Sequence, residues 1–352
     1  MILTVHSSMC VGSGDFLSSK PKIALVDEYG AYLHVKDGRF QLIVREGKEQ
    51  KVKWDVAPVA LEAIVFVTSG ASISAAAIEL ANKYGIDLIF LRRDRPIARL
   101  LPATYGSTLK TWLRQLKAFK RHDARLKLAR LFVEGKIYNQ RMVLMEYSRR
   151  LRGSVQASKL AHAVERLSEC LRALELVKEV GECINIEAQA ANAYWSAIAT
   201  LLPRELGFTR RLTRQEIRAG VRPDPFNIAL NIGYAALRRV AWKAVFMAGL
   251  NPYIGFLHAP RAGRMSLVLD LMEEFRPISV DRPLITLARG KPSLLQQLAR
   301  ESKEAIAEVW RAIVNYMASS KPPHDSLIVA QARLLAQHLR GTADYKPYRS
   351  RW

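Results

Sequence analysis

The sequence has 352 residues, 49% of them hydrophobic, and its 54 Lys+Arg against 32 Asp+Glu leave a formal charge of +22. That length and apolar share support substantial cores and, on size, two domains. The one-sided charge points to a polyanionic partner, nucleic acid ahead of an anionic membrane surface. Three scattered cysteines, Cys10, Cys170 and Cys183, exclude a disulfide framework or a cysteine-zinc cluster and read as reduced thiols.

The N-terminus, MILTVHSSMCVGSGDFLSSK, lacks the basic and apolar regions of a signal peptide. The longest apolar segments are broken by charge, at Glu62 or at Arg238, Arg239 and Lys243, so no transmembrane helix and a cytoplasmic protein are expected. The first hundred residues then read as β. The alternating stretch IALVDEYGAYLHVKDGRFQLIV is punctuated at Glu28-Tyr29-Gly30 and Lys36-Asp37-Gly38, the turn chemistry of hairpins. Short strands are expected at Ala63–Gly70 and Ile86–Leu91, with a helix from Ile73 to Tyr84 closed by Gly85.

Near Pro102 to Thr108 strand signals give way to helical period. The segment from Lys110 to Arg152 is dense in cations with aromatics between them, and Pro203 to Pro223 is a second basic stretch, read as a loop with helical pieces. A charge run is usually a solvated face, but with so little acid nearby, contact with phosphates competes. The candidates are Lys110, Arg114, Lys117 and Arg121 in the first, and Arg210, Arg211, Arg214 and Arg222 in the second. Helices are also expected at Leu160–Leu174, at Glu182–Leu202 and from Asp224-Pro225 to Gly249, where cap and first-turn proline stand in the favoured order. Others follow within Ser293–Met317 and Asp325–Leu339, and the tail YKPYRSRW looks too polar and basic to pack alone. The fold class is α+β, with a small β-rich domain over residues 1–105 and a larger all-α domain over residues 106–352.

The chemistry concentrates in GFLHAPRAGRMSLVLDLMEEFRP, from Gly255 to Pro277. His258 lies in a broken loop before a short helix that Ser266 is placed to cap and Pro277 to stop. That helix carries Asp270, Glu273 and Glu274 opposite its apolar side. Three acids so spaced repel unless a cation sits between them. A solvated acidic face is the bland reading; His258 and a further acid, Glu187 in the alanine-rich NIEAQAANAYW, turn it towards a metal site. One nitrogen and two or more oxygen donors suit Mg²⁺ or Mn²⁺. The remaining histidines, His6, His34, His122, His162, His324 and His338, have no comparable acidic company in the sequence. No serine-nucleophile motif, phosphate-cradling glycine loop or dinucleotide fingerprint occurs. A divalent ion beside a basic surface fits phosphodiester chemistry.

Three segments in order, NIEAQAANAYW, DPFNIALNIGYAALRRVAWKAVFMAGLNPYIGFLH and SLVLDLMEEFRP, resemble the CRISPR-associated endonuclease/integrase that inserts new spacers. The resemblance runs through nearly the whole chain. It implies a Glu, His and acid metal set falling on Glu187, His258 and Glu273, with Asp270 as a secondary ligand or DNA-site residue. Tyr194 and Asn227 lie inside the matched segments as site-support candidates, and Ala188 stands where the family has glycine. It further implies a homodimer that pairs with the small ferredoxin-like second CRISPR-associated protein. The substrates implied are prespacer duplex, CRISPR repeat and branched junction DNA, with a prespacer 3′ hydroxyl attacking a phosphodiester. The competing reading is a non-catalytic, basic DNA-architectural subunit.

Overall fold

The computed structural model describes residues 23–46, 49–92, 95–101 and 107–351. The chain divides into two compact units, Met1–Lys110 and Thr111–Trp352. The expected boundary at 105/106 lies among residues outside this description, as do His6 and Cys10.

The first unit holds eight strands among the described residues: β1 Ile23–Val26, β2 Tyr32–Lys36, β3 Arg39–Glu46, β4 Glu49–Val56, β5 Ala63–Phe66, β6 Ser72–Ile73, β7 Asp87–Arg92 and β8 Arg95–Leu100. They form two four-stranded sheets, ordered β1-β5-β7-β8 and β4-β3-β2-β6. Lys36-Asp37-Gly38 closes the β2–β3 hairpin, with φ of 51° at Asp37 and 71° at Gly38, the paired positive values of a type I′ turn. The turn at Glu28-Tyr29-Gly30 does not close a hairpin. It carries the chain between sheets, because β1 runs parallel to β5 while β2 pairs with β3 and β6. Turn residues fix a change of direction but not the partner strand. Here β5, buried along its whole length, takes β1 on one side and β7 on the other. Helix α1, Ala75–Tyr84, is capped by Ser74, whose side chain accepts from Ala77 N–H at 3.1 Å, and ends at left-handed Gly85.

The second unit is helical. After α2 (Ser107–Lys120) come α3 (His122–Arg150), α4 (Val155–Leu174), α5 (Val180–Ala199), the short α6 (Arg214–Arg218) and α7 (Pro225–Met247). These are followed by α8 (Ser266–Arg276), α9 (Arg282–Gly290), the short α10 (Pro292–Gln296), α11 (Lys303–Ser319) and α12 (His324–Arg340). The 29-residue α3 packs against α4, α5 and α8, while α7 packs against α8, α11 and α12. Helix α8 is therefore enclosed. Nine of its eleven residues are buried, the three acids among them, so the acidic arc is an interior one.

Three local expectations change here. Ser266 does not cap α8; it is the first helical residue, and its hydroxyl donates to Ala259 O at 3.0 Å. Pro277 does not stop the helix. A proline costs only its own missing N–H and a clash one turn back. The backbone absorbs both in a π-helical turn, Pro277–Asp281, and continues into α9. The tail packs, because polar partners receive it: Ser350 N–H donates to Asn139 Oδ1 at 2.9 Å and Tyr348 N–H to Glu274 Oε2 at 2.7 Å.

Candidate metal centre

Glu187 projects from α5, His258 from the loop before α8, and Glu273 from α8. The loop is held before its histidine is placed. Gln115 on α2, fully buried, donates to Asn251 O at 2.9 Å and to Ile254 O at 2.7 Å, and accepts from Asn251 N–H at 2.9 Å. Arg125 on α3 donates to Phe256 O at 3.1 Å.

Asp270, fully buried, organises the other side. Its carboxylate accepts the backbone N–H groups of Phe256 at 2.5 Å, Leu257 at 3.1 Å and His258 at 2.9 Å. It also accepts from His258 Nδ1 at 2.7 Å. A carboxylate accepts, so Nδ1 carries the ring proton and the Nε2 lone pair is left for a ligand. The close wrap requires glycine at 255: a Cβ there would lie 2.8 Å from Asp270 Oδ2 and 2.8 Å from His258 O.

Glu187 and Glu273, from two helices, converge on one cation. The Lys136 ammonium on α3 pairs with Glu187 Oε1 and lies 2.7 Å from Glu273 Oε2, and Arg276 reaches Glu273 Oε1 at 3.1 Å. Burial opposes the charged form of Glu273. Arg276, Lys136 and His258 outweigh it and hold the carboxyl down at about 2. Burial likewise opposes the Lys136 charge, yet Glu187 and Glu273 raise it above the ordinary lysine value. The three acids of α8 thus take separate partners instead of sharing one ion. Asp270 holds the loop, Glu273 meets the cations, and Glu274 binds Tyr345, Gln331 and the tail backbone.

Among the described residues, no three His, Cys, Asp or Glu side chains already stand as a metal-holding group. The donor set nevertheless fits a hard divalent ion. Two carboxylates from separate helices already meet at a positive charge, and an imidazole close enough to Glu273 to bear on it when protonated leaves Nε2 available when neutral. Sequence reasoning missed Lys136 and Arg276; buried cations within a basic chain carry no distinguishing mark.

The polar contacts of the support candidates go to residues other than Glu187, His258 and Glu273. Tyr194 is fully buried, and its hydroxyl feels the charge of Asp281, which also accepts from Tyr234 OH at 2.7 Å. Asn227, fully buried, accepts from Leu212 N–H at 3.0 Å and Arg211 at 2.7 Å, tying the basic stretch to α7. Arg211 is thereby a loop anchor, donating also to Asn231 at 2.6 Å and lying over the Tyr234 ring. Lys110, Lys117 and Arg222 are exposed; Arg210 pairs with Glu216 at 2.6 Å, Arg121 with Asp123 at 2.6 Å, and Arg114 donates to Arg340 O. Two histidines do have acidic neighbours in space: His122 meets Glu179 at 3.1 Å, on an exposed surface, and His338 lies 3.9 Å from Asp344.

A family model described as CRISPR associated protein Cas1 matches residues 24–306. Among similar curated proteins, CRISPR-associated endonuclease Cas1 1 of Saccharolobus solfataricus is 41% identical over 93% of this chain and 84% of its own. CRISPR-associated endonuclease Cas1 of Korarchaeum cryptofilum is 34% identical over 77% of this chain and 79% of its own. In fold, a Cas1 protein from Thermotoga maritima superposes with a TM-score of 0.75 at 20% identity, over 93% of this chain and 99% of its own. A casposase bound to integration product gives a TM-score of 0.73 at 23% identity, over 94% and 100%. With strands leading into helices as in those structures and the family match spanning both units, the chain belongs to the CRISPR associated protein Cas1 family.

Proposed function

We propose that this chain is a metal-dependent DNA endonuclease and integrase that inserts new spacers into a CRISPR array. The observation that carries the reading is the convergence of Glu187 and Glu273 on one buried positive charge, next to a histidine whose Nδ1 is held by Asp270. The names of the relatives, endonucleases of CRISPR systems, supply the class of reaction. Glu187, Glu273 and His258 Nε2 would hold Mg²⁺ or Mn²⁺. Bound there, the ion would supply Lewis acidity at the phosphoryl oxygen and lower the pKa of the attacking hydroxyl.

The chain's own groups do the rest. Asp270 fixes the imidazole tautomer and its aim. Arg276 keeps Glu273 ionised and leaves a positive edge on the site for the phosphate. The exposed cations of α2 and of the 203–223 stretch take DNA backbone phosphates and set its register. No nucleophilic side chain is called on, since the prespacer 3′ hydroxyl is the attacking group. The strand-rich unit serves dimerisation and partner docking, and the helical unit catalysis. The partner is a small ferredoxin-like second CRISPR-associated protein; a Cas6-RT-Cas1--Cas2 complex is among the structures of like fold, at a TM-score of 0.67. The protein works in the cytoplasm; among the described residues no helix is long and apolar enough to cross a membrane.

The test is cleavage and strand transfer on labelled branched DNA with Mg²⁺, Mn²⁺ or EDTA. Wild type is compared with Glu187→Ala, His258→Ala and Glu273→Ala, each checked for fold and DNA binding. Metal-dependent products lost in all three variants support the reading. DNA binding without metal-dependent chemistry in wild type would replace it with the architectural one.

A further inference from the structure

Lys136 sits in the middle of α3 with its ammonium in contact with both carboxylates of the candidate metal pair, and only 11% of its side chain is exposed. Its helical neighbours Phe132, Val133 and Ile137 are fully buried, so little of it meets bulk water. An ammonium so placed is tolerated only because the carboxylates compensate its lost hydration. With Arg276 on Glu273, these ion pairs join two carboxylates and two cations, whose formal charges cancel without any added ion.

That balance conflicts with a divalent ion. Adding one while Lys136 stays would leave a double positive excess in a poorly solvated interior, with the ammonium against the oxygens the ion needs. Exchanging ammonium for ion leaves a single positive excess, which one DNA phosphate neutralises. We propose that Lys136 is an internal placeholder: it holds Glu187 and Glu273 together in the metal-free protein, and a divalent ion enters by displacing its ammonium from both. The long flexible stem lets the charge move without moving α3. The displaced ammonium then turns to the phosphate side of the site, as a further positioning group for the DNA. This deepens the function proposed above and rests on its assignment of the metal to Glu187 and Glu273.

The experiment is Mn²⁺ binding to Lys136→Met, read from the paramagnetic resonance of free Mn²⁺, with thermal unfolding followed with and without the ion. Methionine keeps an unbranched stem and removes the charge. Expected are a Kd tightened by about tenfold or more, a lower melting temperature without metal, and a larger rise on adding Mn²⁺ than in wild type. An unchanged or weaker Kd overturns the proposal. Should the variant fail to fold, crystals of wild type soaked in Mn²⁺ decide. A metal peak between the carboxylates with Lys136 out of contact supports displacement. A metal peak with Lys136 still touching both overturns it while leaving the metal site standing. No metal at the pair in wild type overturns the metal assignment itself and the placeholder with it.

Discussion

Asp270 touches no solvent, yet it fixes the geometry of the histidine beside it by collecting three backbone N–H groups and the ring Nδ1. Exchanging it for asparagine puts an amide where four donors converge, and one oxygen must then serve all of them. Asp270→Asn is expected to lower metal-dependent cleavage and Mn²⁺ affinity together, by about 10- to 100-fold, with DNA binding kept. An assay of all three on one preparation checks this, and retained Mn²⁺ affinity would show that the imidazole does not need the carboxylate. Gly255→Ala perturbs the same contact sterically. Its new methyl would meet Asp270 Oδ2 at 2.8 Å and backbone at His258 and Ser266, none of which can swing away. A loss of about 1–3 kcal/mol in denaturant unfolding is expected.

At the scale of elements, the helix that carries the acids does not end where a proline would end it. Its π turn sets Asp281 inside the interior, against Tyr234 and Tyr194. Burial drives the Asp281 carboxyl up to about 7, with the Tyr234 hydrogen bond and the charges of Lys136 and Arg276 only partly opposing it. The folded state thus binds a proton that the unfolded chain releases above its ordinary value of 3.8. This contribution is fully present below that value and is lost as pH rises through about 7. Glu274, also pushed up to about 7 by burial, acts in the same direction. Asp281→Asn, neutral at every pH, should therefore gain stability relative to wild type between pH 4 and 8. The gain is on the order of 4 kcal/mol at most, and melting curves of both proteins across that range measure it.

The same element shows what a sequence can disclose. Apolar period and the turn residues of α1, α7 and the β2–β3 hairpin are local signals, and the structure follows them. The fold class was legible for a related reason, and the motifs that nominate Glu187, His258 and Glu273 as metal candidates each lie within a single segment. What was hidden depends on which segments meet. The partner of β1, the continuation past Pro277, the cations Lys136 and Arg276 and the burial of Asp270 are set by packing between distant elements. A buried lysine and a surface lysine look alike along the chain.

At the scale of the whole molecule, the charge of +22 acts through exposed cations and not through every cation. Lys110, Lys117 and Arg222 are exposed, whereas Arg211 is consumed in holding its loop to α7. Replacing Lys110, Lys117 and Arg222 together by glutamine should weaken DNA binding with little regard to sequence. If each meets one phosphate, the slope of log affinity against log salt falls by about three. A slope equal to that of wild type would remove these residues from the interface. Arg211→Gln should instead lower the melting temperature, because Asn227 and Asn231 lose a charged donor.

The strap formed by residues 345–350 has a consequence for synthesis. Glu274 takes Tyr345 and Tyr348 as partners beside Gln331, and Asn139 on α3 takes Ser350, so the direct contact of α3 with α8 is reinforced by residues that leave the ribosome after both. While the nascent chain is still short of them, Glu274 has no hydroxyl or tail N–H to receive it and little reason to leave water. The helix bearing Glu273 then lacks this restraint. A chain that stops short of residue 345 therefore carries α8 with its buried acids only partly partnered, and its helical unit should melt at a lower temperature.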